Sequence, residues 1–456
     1  PLINASEVWT IQLSGINITG VDETVCVLDT GINFSHPDLI GKNKTCTIDC
    51  ITNVNCVENC SISDDNGHGT HVAGIIAASG GINGVAINVG LIGVKVLDSN
   101  GNGQSDDLEL GIDWCIANAD KYNISVISMS LGADCLTHPE DCYDSYCDSA
   151  GATLTTIINN ATSHNISVIA ATGNEGNTTA IPLPACIENV TSVAATDKND
   201  NIASYSNRNN ITDLVAPGSD INSTIIPNPS EDILDYCGTG KSYCSLSGTS
   251  MAAPHVAGAF VLIRQFFRLQ NGRVPTPSEI EDVLNDTGTL IDDSSGSGYN
   301  FPRIDVYSAL ISIDINNPTV SLISPSDGTN QFAQNVTFRC SANDVRLSNI
   351  TLYVWNSTGI YNNTEVNQVS GINAQTEFNL TDIPHGDYEW NCLAYDNNGN
   401  FSFASSNFTL KIKQVNVSLT SPSDNLITNQ NQTYNCSAET EPTKSLSNIT
   451  INIWNP

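Results

Sequence analysis

Three segments of this 456-residue chain set one reactive side chain among small neighbours. Asp29 ends the apolar stretch of VCVLDTGINFSHPDL, His68 lies in DDNGHGTHVAGIIAAS, and Ser250 lies in SLSGTSMAAPHVAGAF. A carboxylate, an imidazole and a hydroxyl are the working parts of nucleophilic catalysis. The carboxylate fixes the imidazole tautomer, the imidazole takes the hydroxyl proton, and the oxygen attacks a carbonyl. Asp29 follows the strand-like run Thr24 to Leu28, which places it at a strand's carboxyl end, where sites gather in open sheets. Gly67, Gly69 and Thr70 let a helix begin close to the sheet with His68 in its first turn. Ser250 likewise opens a helix, whose orphan N–H groups and partial positive charge suit a developing oxyanion.

Positioning these groups requires an α/β scaffold. Apolar runs at Thr24 to Leu28, Leu91 to Leu97, Val126 to Leu131, Ser167 to Ala171 and Val190 to Ala194 alternate with helical patterns. The runs are continuous, so the strands are buried on both faces, as in a parallel sheet covered by helices at His68 to Ala78, Asp106 to Ala119 and Ser250 to Leu269. Near Asn316, Asn317 and Pro318 the pattern changes to short alternating strands broken by Ser, Asn, Asp and Gly, which predicts an all-β region. The segment from Pro318 recurs loosely from Val415, so two copies of one module are expected. In the first copy Cys340, Trp355 and Cys392 have the order and spacing of an immunoglobulin-like sandwich, in which a disulfide lies beside a tryptophan. The predicted boundaries are residues 1–315, 316–413 and 414–456, the last too short for a complete sandwich. Alternation at Ile449, Ile451 and Ile453 there predicts an open apolar face, completed by a longer natural chain or by self-assembly with strands from a neighbour.

A formal net charge of -32 repels polyanions over the whole surface and disfavours their binding, nucleic acid included. Four of the 15 cysteines, Cys46, Cys50, Cys56 and Cys60, are separated by three, five and three residues without histidine. That spacing reads as disulfides rather than a zinc ribbon. There are 24 Asn-x-Ser/Thr acceptors, Asn17, Asn123, Asn189, Asn349 and Asn407 among them, and with the cysteines they predict an N-glycosylated chain exposed to an oxidising exterior. No run of 18 apolar residues occurs and Pro1 opens no signal peptide, so a mature, secreted or cell-surface product without a membrane span is expected.

The three motifs, in the order Asp, His, Ser, resemble the subtilases over roughly residues 1 to 315. The resemblance implies a serine endopeptidase that cleaves proteins or peptides through an acyl-enzyme on Ser250 and needs no organic cofactor. It implies that Asn174, in VIAATGNEGN, supplies the side-chain donor of the oxyanion hole. It also implies two peptide-binding edges, Gly101, Asn102 and Gly103 on one side and Ser130, Leu131 and Gly132 on the other. The specificity pocket would be built from Ser130 to Gly132, from Ala171, Thr172 and Gly173, and from Ala180, with Glu175 at its rim. His71 and His255 read as packed core histidines. Ca2+ is a possible ligand: Asp38 matches a family metal ligand and Asp197 is a second candidate, although the loop AASGGINGVAINVG lacks the family's longer insertion. The inserted CTIDCITNVNCVENC reads as a disulfide-pinned knob.

Disulfides are expected between Cys340 and Cys392 and between Cys237 and Cys244, with two bridges among Cys46 to Cys60 and two among Cys135, Cys142, Cys147 and Cys186. Cys26 and Cys115 are either a further pair or two buried thiols. A second functional reading is an adhesive glycoprotein that keeps the protease fold with its cleft blocked by glycans on Asn33 or Asn177, and a third, compatible with protease activity and resting on fold analogy alone, is carbohydrate binding by the module of residues 318–413.

Overall fold

The computed structural model describes residues 2–13, 15–51, 55–397, 399–414, 417–421 and 435–438, and divides into two compact units, Pro1–Asp314 and Ile315–Pro456. The first unit has strands β1 (Thr24–Asp29), β2 (Thr47–Asp49), β3 (Val57–Asn59), β4 (Gly90–Lys95), β5 (Ile124–Met129), β6 (Ser167–Ala171), β7 (Thr191–Thr196), β8 (Leu214–Pro217), β9 (Thr289–Asp293) and β10 (Tyr299–Arg303), of which the five apolar runs supply β1, β4, β5, β6 and β7. They form one ten-stranded sheet in the order β9-β10-β8-β7-β6-β5-β1-β4-β2-β3. The edge strands β9 and β3 are antiparallel to their neighbours, and the pairs between them are parallel. Every residue of β1, β4, β5, β6 and β7 is buried, which is why their sequences run apolar without alternation.

Four helices position the site: α1 (His68–Ala77), α2 (Ser105–Ala117), α3 (Ala152–Ser163) and α4 (Thr249–Asn271). Leu108, Ile112 and Cys115 of α2 and Leu154 and Ile158 of α3 share a core with Cys26, Leu28, Ile92, Val94, Ile127 and Met129. Helices α1 and α4 pack against each other, and α4 also lies along β5 to β8. After β1 the chain builds β2, β3 and β4 on one side and then crosses to β5 on the other. The carboxyl ends of β1 and β5 therefore flank a reversal of strand order, the place where open α/β sheets form their clefts.

Two expectations need correction here. The cysteine-rich insertion is pinned by two bridges as expected, Cys46–Cys60 and Cys50–Cys56, but it is not a knob: Ile48 is fully buried and pairs with Val94, so β2 and β3 extend the main sheet at its edge. The other bridges are Cys135–Cys142, Cys147–Cys186, Cys237–Cys244 and Cys340–Cys392, while Cys26, Cys115 and Cys436 are free.

The second unit is all-β. Its strands are β11 (Thr319–Ser324), β12 (Thr329–Gln331), β13 (Val336–Asn343), β14 (Leu347–Asn356), β15 (Gly359–Asn362), β16 (Val366–Gln368), β17 (Asn373–Leu380), β18 (Gly386–Asp396), β19 (Phe401–Phe403) and β20 (Phe408–Ile412). One sheet runs β11-β13-β17 and the other β12-β20-β18-β14-β15, with β16 beside β14 and β19 beside β18. Cys340 and Cys392 join the two sheets through a core containing Phe338, Leu352 and Val354. The second correction concerns its tryptophan. Val354 pairs with Trp390 and both are fully buried, so the two-residue period turns Trp355 to the opposite face, next to Glu389. Trp390, not Trp355, packs in the core, edge-on to Phe338 at 5.1 Å.

Beyond residue 414, β21 (Val417–Ser421) pairs antiparallel with β22 (Asn435–Ala438). The rest of the expected partial module, Ile449 to Trp454 included, lies outside the described residues. Among the described residues no helix is long and apolar enough to cross a membrane.

Candidate active site

Asp29 is the last residue of β1 and is fully buried. Its Oδ1 accepts the Thr30 N–H at 2.8 Å, and both its oxygens face His68 Nδ1, at 2.8 and 3.0 Å. His68 is the first residue of α1, held there by Gly67 at φ 111°. A Cβ on Gly69 would collide with the Gly31 carbonyl oxygen, so glycine is what lets α1 begin this close to β1. The imidazole is 23% exposed on its side chain. Burial opposes its charged form, but the Asp29 charge and hydrogen bond, with Asp64 behind them, outweigh burial and hold its pKa above the ordinary 6.5.

A second buried carboxylate organises this corner. Asp64 Oδ1 accepts the Thr30 hydroxyl at 2.8 Å and the N–H groups of Asn66 and Gly67, and its Oδ2 accepts the Thr70 N–H and hydroxyl at 2.9 and 2.6 Å. Thr30 Oγ1 in turn accepts the Gly69 N–H at 3.0 Å. The residue after Asp29 and the first turn of α1 are thus tied through Asp64. Lys95 adds a second brace: its buried ammonium donates to the Thr30 and Leu97 carbonyls at 2.9 and 2.8 Å.

Ser250 occupies the first turn of α4. Its hydroxyl donates to the Ser130 carbonyl at 3.2 Å, and the Ser130 hydroxyl donates back to the Ser250 carbonyl at 2.9 Å. This exchange fastens the start of α4 to the segment after β5. Asn174 is exposed beyond the end of β6, and its Oδ1 accepts both the Thr249 N–H, at 2.8 Å, and the Thr249 hydroxyl, at 3.1 Å. With the oxygen engaged by Thr249, the Nδ2 end is the one left to donate to a ligand. Sequence reasoning missed Thr249, Asp64, Thr30 and Lys95. The first two lie inside the motifs that carry Ser250 and His68, and nothing in residue type alone marks them as braces.

The expected peptide-binding segments are placed as follows. Gly101, Asn102 and Gly103 are exposed and outside any strand, in a turn closed by the Asn102 N–H on Asp98 Oδ1 at 2.9 Å. Ser130, Leu131 and Gly132 continue from β5 without a strand partner. Ala171 ends β6, Thr172 is buried with its hydroxyl on the Asn207 carbonyl at 2.7 Å, and Gly173 has φ 94°. The Glu175 carboxylate is held by the Asn207 side-chain amide, so it is no free rim charge. Ala180 donates its N–H to Asn177 Oδ1 at 3.0 Å. His71 Nε2 meets the Cys244 carbonyl at 3.0 Å and His255 Nδ1 the Met251 carbonyl at 2.8 Å; burial pushes both pKa values down to about 4.

The carboxylates considered for calcium face donors. Asp38 accepts the N–H groups of Gly81 and Ile82 at 2.8 and 2.9 Å and the Tyr243 hydroxyl at 3.0 Å. Asp197 Oδ1 accepts the N–H groups of Asn199 and Asn201 at 2.8 and 2.9 Å. A cation needs converging oxygens, so hydrogen-donor shells of this kind do not fit one.

The sequence profile of the subtilase family matches residues 20–304, which contain every group just described around Asp29, His68 and Ser250. The chain belongs to the subtilase family, the subtilisin-like serine proteases. This subtilase is 37% identical over 293 residues to the thermophilic serine proteinase of Bacillus sp. (strain AK1), covering 63% of its own length and 61% of that protein's. It is 38% identical over 287 residues to the major intracellular serine protease of Bacillus subtilis (strain 168), covering 61% of this chain and 78% of that one. With subtilisin E of Bacillus subtilis (strain 168) the identity is 35% over 295 residues, 63% of this chain and 66% of that one. The subtilase thus spans about three fifths of the AK1 proteinase.

Proposed function

We propose that the first unit is a serine endopeptidase with Asp29, His68 and Ser250 as its triad. One observation carries this reading: the buried Asp29 carboxylate holds His68 Nδ1 with both oxygens, which leaves Nε2 as the basic atom. For attack, the Ser250 hydroxyl swings its proton from the Ser130 carbonyl to His68 Nε2, and Oγ adds to the scissile carbonyl carbon. The oxyanion is met by Asn174 Nδ2 and by the Ser250 N–H, which has no intrahelical acceptor in the first turn. The imidazolium, stabilised by Asp29, gives its proton to the leaving amine, and water repeats the cycle on the acyl-enzyme. The segments 101–103 and 130–132 bind the substrate backbone as an added strand, with the side chain before the cleaved bond lying between 130–132 and 171–173.

Six disulfides suit an oxidising compartment, and we read the protein as secreted or cell-surface and N-glycosylated, with the second unit as an immunoglobulin-like module that attaches it to a surface or substrate. Kinship alone does not decide the compartment, since one relative is named an intracellular protease. A fluorophosphonate probe tests the enzymatic reading: Ser250 is labelled in the folded protein and not after Ser250→Ala. Failure to label folded wild-type protein would favour the alternative of an adhesive glycoprotein with a covered cleft.

A further inference from the structure

The outer face of the second unit's larger sheet presents aromatic rings where a solvated strand normally carries polar residues. Trp355 stacks on Tyr353 with ring centres 5.6 Å apart at 24°, and Phe403 meets Tyr353 edge-on at 5.1 Å. Phe403 is 41% exposed and Phe401, two residues before it on β19, is 53% exposed. Trp355 also forms one wall of a cleft of about 710 Å³, whose other walls carry Asp387, Glu389, Asn407, Lys411 and Asn330. These come from neighbouring strands: Glu389 lies opposite Trp355, and Lys411 opposite Asp387. The volume falls within the range of small-molecule sites.

The lining selects among ligands. Lys411 is matched by Asp387 at 3.0 Å and Glu389 accepts the Asn407 amide at 2.9 Å, so the cleft keeps one negative charge beyond its single cation and is unfavourable for anions. The main-chain groups of β18 are bonded into the sheet on both sides, so a peptide strand finds few partners on this face. A wholly apolar ligand would desolvate Asp387, Glu389 and Asn407 without replacing their hydrogen bonds. A ring with apolar C–H faces and a rim of hydroxyls satisfies both kinds of wall. Its C–H face lies on the electron-rich indole, and paired hydroxyls meet carboxylate and amide oxygens.

We propose that this face binds a neutral oligosaccharide, with Trp355 as the stacking platform and Glu389, Asp387 and Asn407 as the hydroxyl contacts. The inference rests on the attachment role above and gives it a ligand. The chain runs out of the cleft along Tyr353, Phe403 and Phe401, so several sugar units contribute. The acceptor asparagines Asn356 and Asn407 line the cleft and Asn400 directly precedes Phe401, and an attached glycan crossing this face is the competing occupant.

The test uses the full chain carrying Ser250→Ala, to prevent self-cleavage, titrated calorimetrically with cellohexaose, chitohexaose, xylohexaose and mannohexaose, and with polygalacturonate as the anionic control. At least one neutral hexaose binds and shifts the tryptophan fluorescence. Trp355→Ala weakens that binding by about tenfold or more, and Glu389→Gln weakens it by a smaller factor with the melting temperature unchanged. If Trp355→Ala fails to fold, Glu389→Gln decides. The proposal is overturned if no neutral hexaose binds, if the variants that fold bind as wild type does, if polygalacturonate is preferred, or if mass spectrometry finds a glycan on Asn407 filling the cleft. Retention of wild-type attachment on a protein substrate with no sugar binding would sink this inference and leave the attachment role standing. Sugar binding without faster cleavage of a polysaccharide-bound substrate by the wild-type chain would do the reverse.

Discussion

In the first unit the groups that address one another, Asp29, His68, Asp64 and Thr30, sit at strand and helix ends where buried carboxylates fix them. In the second, Trp355, Tyr353 and Phe403 stand on the outer face of paired strands and meet one another through ring contacts. The difference shows in sequence. Each reactive group at a strand end or helix start sits in its own contiguous motif, although its braces come from afar: Asp64 holds Thr30 across 34 positions and Ser130 meets Ser250 across 120. A face built across strands collects alternate residues from each, Tyr353 and Trp355 from β14 and Phe401 and Phe403 from β19, so no contiguous motif announces it.

Ser250→Ala makes the sharpest break. It removes the nucleophile, so peptide hydrolysis is abolished while calorimetric unfolding changes by about 1 kcal/mol, the cost of alanine near a helix start. Residual turnover in a purified, probe-silent sample would move the nucleophile elsewhere. Asn174→Ala lowers kcat by about a hundred- to a thousandfold with KM little changed, because its amide serves the oxyanion and not the bound substrate. A change in KM alone would make Asn174 a binding residue.

Within the second unit the two tryptophans separate core from surface. Trp390→Ala costs about 3 to 5 kcal/mol of that unit's stability and Trp355→Ala about 0.5, measured by denaturant unfolding. Equal costs would mean that Trp355 is packed after all.

The pH profile follows from His68, which must be neutral to accept a proton. Its pKa is raised, so the acid limb of kcat/KM falls above pH 6.5, and activity climbs as pH rises through it. The same shift stabilises the folded unit below the unfolded value of about 6.5, a contribution lost as pH rises through the folded pKa. An acid limb clearly below 6.5 would mean that Asp29 does not hold the imidazole. The smallest effect is expected from chelation: EDTA moves the melting temperature of the first unit by less than about 2 °C, since Asp38 and Asp197 are satisfied by hydrogen bonds. A larger fall would place a cation among other oxygens.

Much of the first unit was legible because burial on both faces leaves strands continuously apolar, and β6 was placed to the residue. The braces were not. That Asp64 accepts five hydrogen bonds depends on how the loop folds back, which no periodicity encodes. The cysteine-rich insertion was legible in its two bridges but not in its place, because Ile48 buried against the sheet makes it an edge and not a knob. Trp355 misled through spacing: a one-residue step between Val354 and Trp355 decides which face a strand residue takes.

Cys26 and Cys115 remain thiols in a chain whose other described cysteines, Cys436 apart, are bridged. They touch each other between β1 and α2, fully buried, and burial together with Cys26 pushes the Cys115 thiol well above its ordinary pKa. An alkylating reagent in neutral buffer therefore has no thiolate to reach while the sheet is closed. Each modification event records one opening of the strand that ends in Asp29, which makes the rate of alkylation at this pair a clock for the lifetime of the folded catalytic unit.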